Sequence, residues 1–388
     1  MMRSRMRFAL MVTCAANVAV ASGCADTAGD RVVAHDPISE RARGLADTVV
    51  RYGHIDDHEP LYNVRNALWT DHGLVIGNSG AGQILVVDRA GSLRYTFGRV
   101  GSGPGEFRSL SSVWSVGDTI IGFDRALNKL EYFAPGAEHS IRAVALPSVA
   151  WHTVGVLEDG HIVDILVERQ GAIPEGVQVA DSALLRVSHP LRGTVDTVAQ
   201  IPWQTRYGAR IPSGQVIEVD VPLTLNSTVM ARGTTLYIGT PSSWTVTRYS
   251  PGAGREELRI NGQMAPLTTD MIRQWQDERA ALTEVPRGEF MRYLRSLPYP
   301  DSLPAYDTFV PDASGRLAVR MFPLPGSTRA YWKLVDSNGD VVDVWDMPVY
   351  EYVTHLTSEY IVSVLSNPET PQVVTVYRRP PLLSDESQ

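Results

Sequence analysis

Only two cysteines occur in the 388 residues, Cys14 and Cys24. Both stand near the start, so no disulfide can staple the body of the chain, which must hold together by burial. Roughly 340 residues are ample for that. Lysine is almost missing: of 35 basic residues, only Lys129 and Lys333 are lysines. The formal charge is −8 and no basic cluster or stripe offsets it, which argues against a nucleic-acid partner. No apolar run reaches the ~20 residues of a membrane span. The Ser-centred elbow G-x-S-x-G does not occur, and no Lys-Ser/Thr pair follows the richest glycine stretch. Long helical periodicity is missing from the interior, except in one place.

What is present begins with MMRSRMRFALMVTCAANVAVASGC. Arg3, Arg5 and Arg7 precede an apolar run from Phe8 to Ala21, and no acid occurs before Asp26. That order matches a secretory signal over residues 1–23. Ala21-Ser22-Gly23-Cys24 resembles a bacterial lipobox, in which Cys24 becomes the lipid-bearing N-terminus; Ala21 stands where leucine is usual. The alternative is plain secretion, with cleavage near Ala21 or Gly23. Cleavage before Cys24 leaves 32 basic against 43 acidic residues, a net charge of −11. Residues 24–44, small and polar, read as a flexible tether, and 381–388 as a disordered tail. Ala25 after the cysteine resembles an outer-membrane sorting signal, so the expected location is the cell envelope, on the outer membrane or facing the periplasm.

Between 45 and 380, short apolar runs alternate with Gly, Asp and Asn turns every ~8–12 residues, the pattern of an all-β chain. The runs group in fours with a period of ~40–50 residues. Leu74-Val75-Ile76-Gly77 aligns with Thr119-Ile120-Ile121-Gly122 one set later. Sets fall at 64–100, 109–146, 153–202, 227–260 and 308–348, and the last, 352–379, has only three runs. An orphan run at 45–52 supplies the missing strand. The expectation is a six-bladed β-propeller whose N-terminal strand closes the last blade and hides the sheet edges; five or seven blades remain open. The third set carries an insertion, Arg169 to Asp181. A long connection, Gln204 to Asn226, follows it with few strand signals besides 215–221. The helical exception is a small insertion at about 268–297: Thr268 or Thr269 caps, Asp270 lies in the first turn, and Pro286 opens the second helix. It is expected over one face of the disc, as a packing cap or as a lid over a central pocket.

The glycine-rich stretch FGRVGSGPGEF (97–107) raises the question of a phosphate loop. Such a loop needs a helix after the glycines, and here RSLSSVWSVG reads as strand. Gly101, Gly103, Pro104, Gly105, Glu106 and Phe107 instead fall between the last strand of one set and the first of the next, where the chain crosses from rim to axis. Glu106 is expected to accept backbone N–H groups, and Phe107 to pack between blades. The element resembles the G-x-G-P-G-E-F segment of NHL-like six-bladed propeller proteins, many of them bacterial lipoproteins. LPYPDSLPAYDTFVPDASGRLAVRMF (297–322) is similar to a later segment of that family, with Ala318-Val319 where Trp-Val is usual. The resemblance implies fold and location and fixes no reaction.

A ligand site is expected at the axial mouth, near the starts of inner strands. The candidates are Arg65, Asn66, Trp69, Trp114, Trp151, His152, Tyr352 and His355, with Arg206 and Tyr207 from the long connection. Aromatic and arginine side chains suit anionic or sugar-like ligands; inter-blade packing is the competing role of each tryptophan. Among the nine scattered histidines only His54 and His58 have a metal-like spacing, and they sit in a linker. No catalytic residue, cofactor or metal site is assigned. The expected role is a binding scaffold for a protein, glycan or small molecule, attached to the membrane through Cys24. The rival is a lactonase- or esterase-like hydrolase, or a lyase, with an axial divalent cation.

Overall fold

The computed structural model describes residues 42–381 apart from 54–59, 138–139, 147–151, 170, 190–192, 212 and 367–370. The signal segment, Cys24, His54, His58 and Trp151 lie outside the described residues. Two short N-terminal strands, β1 (Arg43–Gly44) and β2 (Thr48–Tyr52), precede the regular array. The first sheet is β3 (Val64–Thr70), β4 (Gly73–Asn78), β5 (Gln83–Val87) and β6 (Leu93–Phe97). The second is β7 (Leu110–Val116), β8 (Thr119–Asp124), β9 (Lys129–Phe133) and β10 (Arg142–Ala145). The third has five strands: β11 (His152–Val156), β12 (Ile162–Glu168), β13 (Gln178–His189), β14 (Thr194–Arg210) and β15 (Val216–Asp220). The fourth is β16 (Thr228–Arg232), β17 (Thr235–Gly239), β18 (Thr245–Ser250) and β19 (Gly254–Arg259). Two helices follow, α1 (Thr269–Ala281) and α2 (Arg287–Arg295). The fifth sheet is β20 (Thr308–Pro311), β21 (Leu317–Arg320), β22 (Arg329–Val335) and β23 (Val341–Pro348), edged by β1. The sixth is β24 (Glu351–Leu356), β25 (Tyr360–Leu365) and β26 (Val373–Arg378), edged by β2.

The first strand of each sheet touches that of the next: β3 with β7, β7 with β11, β11 with β16, β16 with β20, β20 with β24, and β24 with β3 again. The sheets therefore stand round a closed ring, the β-propeller arrangement. Packing explains the sequence pattern. Leu74, Ile76, Leu85 and Val87 face the sixth sheet, whereas Val75, Ile84 and Val86 face the second. A strand sends successive side chains to opposite faces. Here both faces are covered, so the runs read as unbroken apolar stretches. Comparable clusters fill each of the other gaps between neighbouring sheets.

The ring is tied at its ends by β2, which pairs antiparallel with β26, Tyr52 opposite Val374 and Val50 opposite Val376. Ahead of it, Arg43 and Gly44 pair parallel with Trp345 and Asp346, and Arg43 donates to Asp343 at 2.9 Å. The last two residues of the expected tether are thus strand.

The third sheet departs most from the sequence reading. The end of the expected insertion and much of the expected connection belong to an extended hairpin: β13 begins at Gln178, β14 runs on to Arg210, and β15 adds a fifth strand. One face of this extension is apolar, with Tyr207, Ala209, Ile217 and Val219 at alternate positions packed against Leu294, Leu297 and Trp275 of the helical region. On the other face Arg206 is buried between Asp181 (2.9 Å) and Glu218.

Thr268 caps α1, its Oγ1 accepting the Met271 N–H at 3.3 Å, with Asp270 in the first turn. Pro286 occupies the position just before α2. The pair is locked by Tyr299, whose hydroxyl donates to the Leu294 carbonyl (2.8 Å) and accepts from Gln276 (3.0 Å).

Candidate functional site

The glycine-rich joint joins β6 to β7. Glu106 Oε2 accepts the Gly103 N–H at 2.8 Å, and Arg99 donates to Oε1 at 2.8 Å. The Gly103 N–H first, then Arg99, hold its carboxyl below the ordinary range. Phe107 is fully buried with Phe97 and Phe133, between the first and second sheets. Gly122 makes room for it: a Cβ there would stand 2.6 Å from Phe107 Cζ. Glu106 and Phe107 are thus spent on the turn and on packing between the sheets.

Along the first strands, the upper face of the ring is where these strands begin and the lower face where they end. On the upper face, α1 roofs a cavity of about 110 Å³. Its walls are largely apolar, with Leu223, Leu225, Trp275, Leu282, Phe322 and Leu324; its polar groups include Asp307, Glu278, Arg279 and Tyr352. The sequence builds the floor from a hairpin. Asp307 and Arg320 flank the β20–β21 pair, the Asp307 N–H donating to the Arg320 carbonyl at 2.8 Å. The Arg320 guanidinium is ion-paired with Asp307 and lies 4.0 Å from the Tyr352 ring centroid. Arg320 is fully buried, and burial is the main influence lowering its pKa; a guanidinium nonetheless stays charged.

The roof is fitted closely. Gly326, at φ +82°, brings the 322–327 loop against α1, where any Cβ would run into the Gln274 side chain. Burial raises the pKa of Glu278, while the Gly326 N–H and Arg279 act in the other direction. Arg279 stacks over Trp275 at 5.5 Å. Leu223, on the wall, is held at φ +57°. That left-handed conformation costs a bulky residue ~1–2 kcal/mol, and it places an apolar side chain at the cavity.

Of the sequence candidates, Tyr352 lies in this site. His355, three residues along the same strand, is buried toward the lower face. The Trp69 N–H lies 3.2 Å from its Nδ1, and Arg232 lies 2.5 Å from its Nε2. Burial first, then the Arg232 charge, push the His355 pKa well below its usual value. Trp69 itself packs between the first and sixth sheets, and Trp114 between the second and third. Asn66 joins the first two sheets, its Oδ1 accepting the Val113 N–H at 3.0 Å. Arg65 is exposed. His152 opens β11. Arg206 and Tyr207 belong to the extended hairpin, in the ion cluster and under the helices, and not to the mouth. The candidates whose side chains are described therefore do not gather in one site.

The sequence reading missed Leu223, Trp275, Glu278, Asp307 and Arg320. An arginine closing the otherwise apolar run LAVR was the available signal. Among the described residues no three His, Cys, Asp or Glu side chains converge as metal ligands do, and no described helix is long and apolar enough to cross a membrane.

No protein-family model matches the chain, and no curated protein does. Solved structures do. A candidate exported protein from Bacteroides fragilis is 16% identical, with a TM-score of 0.51, covering 87% of this chain and 95% of its own. A DUF4221-family member from Bacteroides vulgatus is 10% identical (TM-score 0.49; 87% and 97% covered). Virginiamycin B lyase from Staphylococcus aureus is 11% identical (TM-score 0.38; 81% and 94% covered). At such identities the likeness concerns the fold alone, and the chain has the fold of a β-propeller.

Proposed function

We propose that this chain is an exported, lipid-anchored propeller of the NHL-like, six-bladed type that binds a small ligand on its upper face. The observation that carries the reading is the cavity under α1: apolar walls, a few convergent polar groups, and a strained leucine in its lining. Such a pocket fits a ligand with an apolar body and one hydrogen-bonding head. The signal segment and Cys24 support anchoring in the envelope. The cation-dependent rival has less support, because His355 already faces a backbone N–H and a guanidinium. Thermal shifts of the protein against metabolites, sugars, peptidoglycan fragments and divalent metals with and without chelator test the reading. A saturable rise with an organic compound, lost in Leu225→Trp, supports it. A rise with metal alone, reversed by chelator, supports the rival. Cys24→Ser should move the protein from the membrane to the soluble fraction.

A further inference from the structure

At the lower face, where β16, β20 and β24 end, three guanidinium groups gather round one carboxylate. Asp312, just past β20, is buried. Its Oδ1 already accepts the Ser314 N–H (2.8 Å), the Ser314 hydroxyl (2.7 Å) and the Arg316 N–H (2.9 Å). Only Oδ2 remains for charge pairing, and it is shared at long range by Arg316 (3.7 Å) and Arg379 (3.5 Å). Arg232 comes to the same place from the end of β16. It reaches the Leu356 carbonyl (3.4 Å), as Arg379 reaches the next carbonyl, Thr357 (3.3 Å). Arg232 feels the Asp312 and Glu158 charges but has no ion pair among the described residues. Asp343, which also acts on Arg379, is paired with Arg43. The neutral His355 beside Arg232 adds no charge.

The donors outnumber their partners. Arg379 Nη2 is buried and has no hydrogen-bond partner among the described residues, in a side chain only 3% exposed. Leaving such a nitrogen dry is costly. Arg316, with a side chain 30% exposed, opens the cluster to solvent. Burial pulls the pKa of Arg379 down, and repulsion from Arg316 adds to it. In a chain of net charge −8, this is a local excess of positive charge. Planar guanidinium forks hold multi-oxygen anions in this way.

We infer that Arg232, Arg316 and Arg379, set round Asp312, form an anion site at the lower face that takes a phosphate or phosphate-monoester dianion. Against the three guanidinium groups stand Asp312 and, beside Arg232, Glu158; the remaining positive charge and the unpartnered Arg379 nitrogen favour a multi-oxygen anion over a single carboxylate. The site is separate from the upper cavity and does not depend on that cavity's role.

The test is a thermal-shift and calorimetric titration of the full chain with inorganic phosphate, ionic strength held constant with sodium chloride. Acetate is titrated in parallel. The expected result is a saturable rise in Tm with phosphate and little with acetate. The half-effect concentration should rise tenfold or more in Arg316→Gln and stay unchanged in Arg292→Gln, a surface control on α2. Arg316 lies at a partly exposed hairpin turn, so its variant is expected to fold; an unshifted Tm without phosphate checks that. No saturable response to phosphate, an equal response to acetate, or an unchanged response in Arg316→Gln overturns the inference.

Discussion

The guanidinium of Arg320 lies 4.0 Å from the centre of the Tyr352 ring, and the two residues come from neighbouring sheets. Arg320 thus ties the fifth sheet to the sixth while pairing with Asp307 at the cavity floor. Arg320→Met leaves Asp307 without its cation. We expect a loss of about 3 kcal/mol in denaturant unfolding, the cost of breaking a buried pair. Tyr352→Phe keeps the ring and should cost well under 1 kcal/mol; Tyr352→Ala should cost more.

Phe107 fills the gap between the first and second sheets, with Gly122 as its neighbour. Phe107→Ala should lower stability by about 3–5 kcal/mol through the cavity it leaves. Gly122→Ala should cost about 1–3 kcal/mol by overpacking, since its methyl meets the Phe107 ring. Equilibrium unfolding of both variants checks this; a neutral Gly122→Ala contradicts the packing described.

His355 gives a pH signature. Its folded pKa lies well below the ordinary value, while in the unfolded chain it returns to about 6.5. Above that pH neither state is protonated and the group contributes no slope. As pH falls below it, the unfolded state binds a proton that the folded state refuses, so stability drops by up to about 1.4 kcal/mol per pH unit. The drop ends only at the folded pKa. His355→Gln should flatten the Tm profile between pH 6.5 and 5 relative to the parent; an identical slope in both proteins contradicts the assignment.

Asp181 is buried beside Arg206. Asp181→Asn should cost about 3 kcal/mol by leaving the guanidinium half-paired. Glu218→Gln should cost less, because its side chain is 36% exposed. Urea midpoints of the two variants give the comparison.

The sequence made the ring legible because its strands are buried on both faces and leave unbroken apolar runs, as in Leu74–Ile76 and Ile84–Val87. The orphan strand before Val64 pointed to closure with the last sheet. The third sheet was harder to read: Pro202, Arg206 and Gly208 break up β14, and the apolar face shows only in Tyr207 and Ala209 and, on β15, in Ile217 and Val219. The cavity was not legible, since Leu223, Trp275, Asp307 and Tyr352 are far apart in the chain and meet only once α1 docks on the ring. Scanning inner-strand starts found Tyr352 alone among them. Trp69 and Trp114 carry the aromatic signal of a binding site, yet pack between sheets.

The most direct measurement of the ligand-site claim is a crystallographic screen of small aromatic and amphipathic fragments against this protein. The account predicts density under α1, between Trp275 and Tyr352, with a polar group reaching Asp307 or Glu278. Fragments that bind elsewhere on the ring, while that cavity stays empty throughout the screen, contradict it.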